Sequence, residues 1–182
     1  MRALVLLLLF APGGVAAEVA ETVRFRHYGV VAIDRPLALA LHEDSPLREG
    51  GRVFHGYARW HVDWRWRTRA EGADCRLEAI AVSLRATVTL PRLDGGTPAV
   101  RQQFDRYLEA LRGHEEGHLG IARRAAAEIE RALQALPAGP GCSALERQAN
   151  AHAQSILARH TAEERRYDRD TDHGRRQGVQ LP

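Results

Sequence analysis

Residues 106–133 read RYLEALRGHEEGHLGIARRAAAEIERAL, and this stretch decides the fold. Phe104, Leu108, Leu111, Ala122, Ala125, Ile129 and Leu133 recur at helical spacing, the pattern of a helix with one apolar face. Within it stands His114-Glu115-Glu116-Gly117-His118, an H-E-x-x-H pattern. Residues four apart on a helix share a face, so both imidazoles point at one place and suit a single zinc ion. Glu115 follows the first imidazole and is placed to take a proton from water acidified by that ion. A catalytic site needs a third protein ligand and one position left open.

Around this helix the chain organises simply. Thr97-Pro98 supplies an N-cap and a proline at the first helical position, and the helix is expected to run to about Leu136. Gly113, Gly117 and Gly120 lie inside it. Each costs about 1 kcal/mol relative to alanine, so close packing against the helix backbone is expected, either by a crossing strand or beside a kink at Gly113. Pro137-Ala-Gly-Pro-Gly141 ends the helix. Ser143-Ala-Leu-Glu146 reads as a capping box and opens a second helix to about Glu164, with Leu145, Ala149, Ile156 and Leu157 inward.

Before the long helix the periodicity is two. Val23, Phe25, Val31 and Ile33 share one parity in a first strand. Leu37 to His42 is a short helix or strand. In 56–67, Trp60, Val62, Trp64 and Trp66 alternate with His61, Asp63, Arg65 and Arg67, a half-buried strand whose Trp row packs against a helix or, alternatively, lines a groove. Ile80, Val82, Leu84, Val88 and Leu90 mark one or two more strands. Short connections favour antiparallel pairing. The expected fold is α+β and zincin-like: an N-terminal antiparallel sheet packed on the long H-E-x-x-H helix and a second C-terminal helix, all within one domain over 18–182.

Residues 1–17 read as a signal peptide, with Arg2, the apolar run Leu4 to Phe10 and the small-residue site Val15-Ala16-Ala17. That run is too short to span a bilayer. The expectation is a secreted or periplasmic protein with no stable membrane insertion after cleavage. In an oxidising compartment the two cysteines, Cys75 and Cys142, form one disulfide more readily than a zinc site, since neither belongs to a Cys-x-x-Cys pair. The formal charge of +3 is carried entirely by arginines spread along the chain, and loss of Arg2 lowers it to +2. No cationic stripe tracks phosphates, which argues against nucleic-acid binding.

The third ligand is less evident. Ile121 and Arg124 stand where the metzincin extension needs Gly and His. Glu146 suits a ligand from a following helix but has a capping task, and His152 and His160 fit a surface face. That leaves His173, with Asp172 second, in the polar tail Tyr167-Asp-Arg-Asp-Thr-Asp-His-Gly174. Composition alone would leave this tail solvated, and its Asp alternation lacks the glycine position and closing Glu of a calcium loop.

Several motifs together carry a resemblance: Gly56 to Trp60, Thr89-Leu-Pro91, His114 to His118, and the terminal Tyr167 to Gly174. In these the chain resembles DUF922, a bacterial family described as predicted secreted zinc-dependent proteases, over nearly the whole mature length. The resemblance implies an exported metallopeptidase with one Zn2+ per chain and brings the tail into the site. His173 then joins His114 and His118 as metal ligand. Glu115 is the general base, Tyr167 a donor to the oxyanion, and Asp168 or Asp172 orients a ligand imidazole. Peptides or proteins are the expected substrates. The alternatives are a non-catalytic zinc-stabilised envelope binding module, with Asp172 or Glu146 closing the fourth position, and an amidase of cell-wall peptides.

Overall fold

A computed structural model describes residues 19–181; the expected signal peptide lies outside them. β1 (Ala20–Val31) is followed by α1 (Leu37–Asp44), the small hairpin β2 (Arg48–Glu49) and β3 (Arg52–Val53), and the long strands β4 (Tyr57–Glu71) and β5 (Asp74–Asp94). Then come α2 (Pro98–Gln134), the short β6 (Gly139–Pro140), α3 (Cys142–Thr171) and a 3-10 turn over Arg175–Gln177. The fold is α+β, with the sheet order β1-β5-β4 packed on α2 and α3.

The sheet is mixed rather than antiparallel. β4 and β5 form an antiparallel hairpin, but β1 runs parallel to β5, Ala20 beside Ser83 through Val31 beside Asp94. Short connections constrain only consecutive strands. Between β1 and β5 lie α1, a hairpin and β4, enough chain to return in parallel.

The parity expected for β1 is also corrected. Val30 and Ala32 are buried and Tyr28 half-buried, while Phe25 is 54% and Ile33 66% exposed. The run Val30-Val31-Ala32-Ile33 is apolar on both parities, so alternation could not choose. α1 chooses, because Leu37, Ala40 and Leu41 pack on Val30 and Ala32.

In β5 the inward phase switches once. Cys75 and Leu77 face in before Ala79, and Ile80, Val82, Leu84, Val88 and Leu90 after it. The pairing with β4 slips between Arg65 and Arg67, and Ala79 takes a φ of 49°, as a β-bulge requires. Trp60, Trp64 and Trp66 pack on the cluster of Val62, Val82, Ile129 and Ile156, as the helix-packing alternative anticipated. Their indoles are tied to α3: Trp60 Nε1 donates to Glu164 at 2.8 Å and Trp64 Nε1 to Asn150 at 3.2 Å.

α2 begins as the sequence indicates, Thr97 Oγ1 accepting from the Val100 amide at 3.3 Å. It touches two apolar clusters. Phe104, Tyr107 and Leu111 belong to one with β1 and α1; Ala122, Ala126, Ile129 and Leu133 belong to the other with α3. The H-E-x-x-H segment lies between them.

α3 departs from expectation at both ends. Its N-cap is Gly141, with no side-chain cap bond, and Glu146 instead accepts from Thr68 Oγ1 at 3.3 Å. The disulfide Cys75–Cys142 ties its first residue to β5. The helix runs on to Thr171, so Tyr167 and Asp168 stand on a helix rather than in a frayed tail. Asp172, His173 and Gly174 then all take positive φ, reversing the chain toward α2.

Candidate metal centre

Three donor atoms converge where α2 meets the end of α3. His114 Nε2 and His118 Nε2 are 3.3 Å apart, and Asp168 Oδ1 lies 3.3 Å from the first and 3.0 Å from the second. Both imidazoles are buried, and the group could hold a metal ion. The other ring nitrogens explain why these three atoms point inward. His114 Nδ1 bonds to Gln177 Oε1 at 2.9 Å, an oxygen that accepts only, so Nδ1 carries the proton and Nε2 keeps its lone pair. His118 Nδ1 faces Glu164 Oε1 at 3.5 Å.

The triangle therefore attracts positive charge. Burial opposes a charged His118, but Asp168 and Glu164 outweigh burial and push its pKa up to about 9. Burial works against the Asp168 carboxylate too, yet His114 and His118 hold it well below the usual range. Donors 3.0–3.3 Å apart are about the edge length of a tetrahedral site bound at 2.0–2.1 Å, roughly 3.3 Å.

Glu115 is buried beside the triangle at the start of β4. Gly56 makes this possible: a Cβ there would stand 2.6 Å from Glu115 Oε1 and 2.8 Å from Leu111. Burial raises the Glu115 pKa to about 7, against the lowering effects of both imidazoles and a hydrogen bond from the Ala58 backbone.

Two of the expected site residues stand apart from the converging donors. His173 is not among the converging donors. Its Nε2 lies 3.2 Å from Arg52 Nη1. A guanidinium only donates, so that bond occupies the His173 lone pair. The proton then sits on Nδ1, 3.7 Å from Asp168 Oδ1, where it supports the carboxylate. Tyr167 is not in the cleft. Its ring stacks on His114 at 5.1 Å and meets His118 edge-on at 5.0 Å. Its hydroxyl donates to the His114 carbonyl at 3.2 Å and receives from Gln177 Nε2 at 3.0 Å. Tyr167 thus holds the imidazoles from behind. The close approach predicted by the helix glycines is real at Gly117 alone of the three: a Cβ there would lie 2.1 Å from Tyr167 Oη, whereas Gly113 faces open space. A helical tyrosine fills the position, not a strand, and α2 continues unbroken through Gly113.

Asp168 was anticipated only as an orienting residue, and Gln177 and Glu164 not at all. A signal existed. Leu145, Ala149, Ala153, Ile156 and His160 are buried at helical spacing, and Tyr167, with Glu164 and Asp168, continues that face. The stripe merely turns polar. Asp172 is exposed at the helix end beside Arg175, and Glu146 stands near the other end of α3.

His114, His118 and Asp168 open onto a cleft of about 800 Å³ whose walls include Phe54, Tyr57 and Leu181. The hairpin β2–β3 closes one side through Arg52 and Phe54, both against His173. Tyr107 and His55, bonded at 2.6 Å, line another part of it. No described helix is long and apolar enough to cross a membrane. The model of a family described as a bacterial protein of unknown function (DUF922) matches residues 26–174, taking in the triangle and Glu115. No curated protein and no solved structure matches the chain.

Proposed function

The chain belongs to the DUF922 family, and from that premise and the donor triangle we propose that it is an exported zinc-dependent peptidase. The observation that carries the reading is three donors, His114 Nε2, His118 Nε2 and Asp168 Oδ1, converging at 3.0–3.3 Å on the wall of an open cleft with a buried glutamate beside them. Two imidazoles and a carboxylate suit zinc, and three protein ligands leave a position for chemistry. Zinc held there supplies Lewis acidity, acidifying water and polarising a carbonyl.

The chain's own groups do the rest. The Glu115 carboxylate accepts the proton of the attacking water and returns it to the leaving amine. Gln177 fixes the tautomer of His114, the usual partnership of a ligand imidazole, while His118 Nδ1 has no hydrogen bond among the described residues and only the charge of Glu164 at 3.5 Å beside it. Tyr167 braces both rings, stacking on His114 and meeting His118 edge-on. Export is supported by the leader-like residues 1–17 and by the Cys75–Cys142 disulfide, a bond favoured outside the cytosol.

The test uses mature protein made without a metal-binding tag. Wild type is expected to hold one zinc per chain by elemental analysis, and Asp168→Ala to lose it. Glu115→Gln is expected to keep the zinc and to lose about 10²–10⁴-fold in hydrolysis of unfolded protein or of peptidoglycan stem peptides. Wild type that takes up no zinc on reconstitution overturns the reading. Zinc with no Glu115-dependent hydrolysis leaves a binding module instead.

A further inference from the structure

Resting on the peptidase reading, we propose that the cleft selects substrates carrying a carboxylate within about one residue of the scissile bond, gripped by Arg52 and Arg165. Both side chains line the cleft. Arg52 gives one hydrogen bond, to His173 Nε2 at 3.2 Å. Neither guanidinium has a carboxylate partner among the described residues. A paired arginine is engaged differently: Arg123, Arg124 and Arg159 each bond a carboxylate at 2.6–3.0 Å, whereas Arg52 and Arg165 lack such a partner among the described residues and stand on the cleft wall itself.

The acids of the cleft do not neutralise this pair. Glu164 accepts from Trp60 Nε1 at 2.8 Å and faces His118. Glu115 is buried under Gly56, and Asp168 is engaged by both imidazoles. Glu49 meets only the Tyr57 hydroxyl, at 3.5 Å. The open fork of an arginine matches a carboxylate in bidentate fashion.

Their positions set the distance. Arg165 precedes Asp168 by three residues on α3, which places their Cβ atoms about 5–6 Å apart. Arg52 bonds His173, whose Nδ1 is 3.7 Å from Asp168 Oδ1. Both arginines therefore share the cleft wall with the donor triangle, within reach of a chain bound across it, where an extended residue spans about 3.5 Å. The carboxylate comes either from a free chain terminus or from an Asp or Glu side chain.

Zinc-loaded Glu115→Gln protein, immobilised as the full mature chain, is offered three N-acetyl pentapeptide libraries. One lacks Asp and Glu and ends in a free carboxylate. The second is the same library amidated. The third is amidated and carries one Glu. Retained peptide is quantified by mass spectrometry. One or both carboxylate libraries should be enriched about tenfold over the neutral amide, as a charge-assisted hydrogen bond implies. Enrichment of the first identifies a terminal carboxylate, and of the third a side chain. Arg165→Gln, made in the same background, should lower the enrichment several-fold and leave the neutral amide unchanged, and Arg52→Gln, compared at equal zinc content because Arg52 also bonds His173, should lower the enrichment too. Equal retention of all three libraries overturns this proposal alone, as do arginine variants that weaken every library alike. Retention of none overturns the peptidase reading beneath it.

Discussion

His160 and His118 both lie buried between α2 and α3, yet their surroundings are built oppositely. His160 has a carboxylate on each ring nitrogen, Glu163 at 3.0 Å and Glu128 at 2.7 Å. Each carboxylate is held in turn by an arginine at 2.6 Å, Arg124 and Arg159. Arginines and carboxylates surround that imidazole, and each carboxylate has its own guanidinium. At His118 and His114 the outer nitrogens face Glu164 and Gln177, while the inner ones converge on each other and on Asp168. That arrangement leaves three donor atoms facing one another, a group that could hold a metal ion. Burial of a histidine therefore says little about ligation. The deciding matter is whether its second nitrogen meets a fixed acceptor while the first meets other lone pairs.

The comparison can be broken most directly at its centre. Asp168→Ala or His118→Ala should abolish stoichiometric zinc by elemental analysis, a loss beyond the roughly 10–100-fold typical of an outer partner. His160→Leu should retain it fully; loss of zinc in that variant would collapse the distinction between the two clusters. Next in size is the disulfide, which anchors the start of α3 far from Asp168. Closing a 67-residue separation corresponds to about 4 kcal/mol on chain-entropy grounds. Cys75→Ala/Cys142→Ala protein should show that drop in denaturant unfolding and still bind zinc below its transition.

Gln177→Leu sharpens the role of the orienting groups. Competition with a chelator should reveal zinc bound about 10–100-fold more weakly. His173→Ala should bind it within a few-fold of wild type, because its lone pair already belongs to Arg52. A stronger effect at His173 than at Gln177 reverses that assignment.

Smaller effects are expected at the closed cluster. His160→Leu removes two hydrogen bonds but leaves both glutamates their arginines, so about 1–3 kcal/mol is expected, read as a lowered melting temperature. Glu128 is held below its ordinary pKa of 4.5 chiefly by Arg159 with His160, and Glu163 chiefly by Arg124. Carboxylates depressed in the folded state stabilise it above that ordinary value, and the benefit is lost as pH falls through the folded pKa. Glu128→Gln/Glu163→Gln protein should therefore lose less melting temperature between pH 5 and the acid end than wild type. The difference should be slight and should shrink in salt, since these groups are largely exposed.

Much of this molecule is legible in one dimension. The long helix, its Thr97 cap, the paired imidazoles and the glutamate beside them follow from residues close in sequence, because helical geometry alone brings i and i+4 together. The Trp60-Trp64-Trp66 face follows in the same way from the period of a strand. The disulfide was accessible because only two cysteines exist. Legibility fails where neighbours come from afar. Val30 and Val31 are equally apolar, and only α1 determines which is buried. The capping box at Ser143 is a sound local pattern, but the disulfide at Cys142 and the pairing of Gly139 with Cys75 accompany a cap at Gly141, two residues earlier.

The sequence by itself determined that a helix carries two imidazoles on one face, since a 3.6-residue period permits nothing else. It could not determine the third donor. His173 and Asp168 are five residues apart, both polar and both able to bind a metal. The choice rests on α3 persisting through Tyr167, which lodges against Gly117, and on Arg52 arriving from a hairpin 121 residues away to occupy the His173 lone pair. Those contacts are long-range, and long-range contacts are what the folded chain adds to the local code.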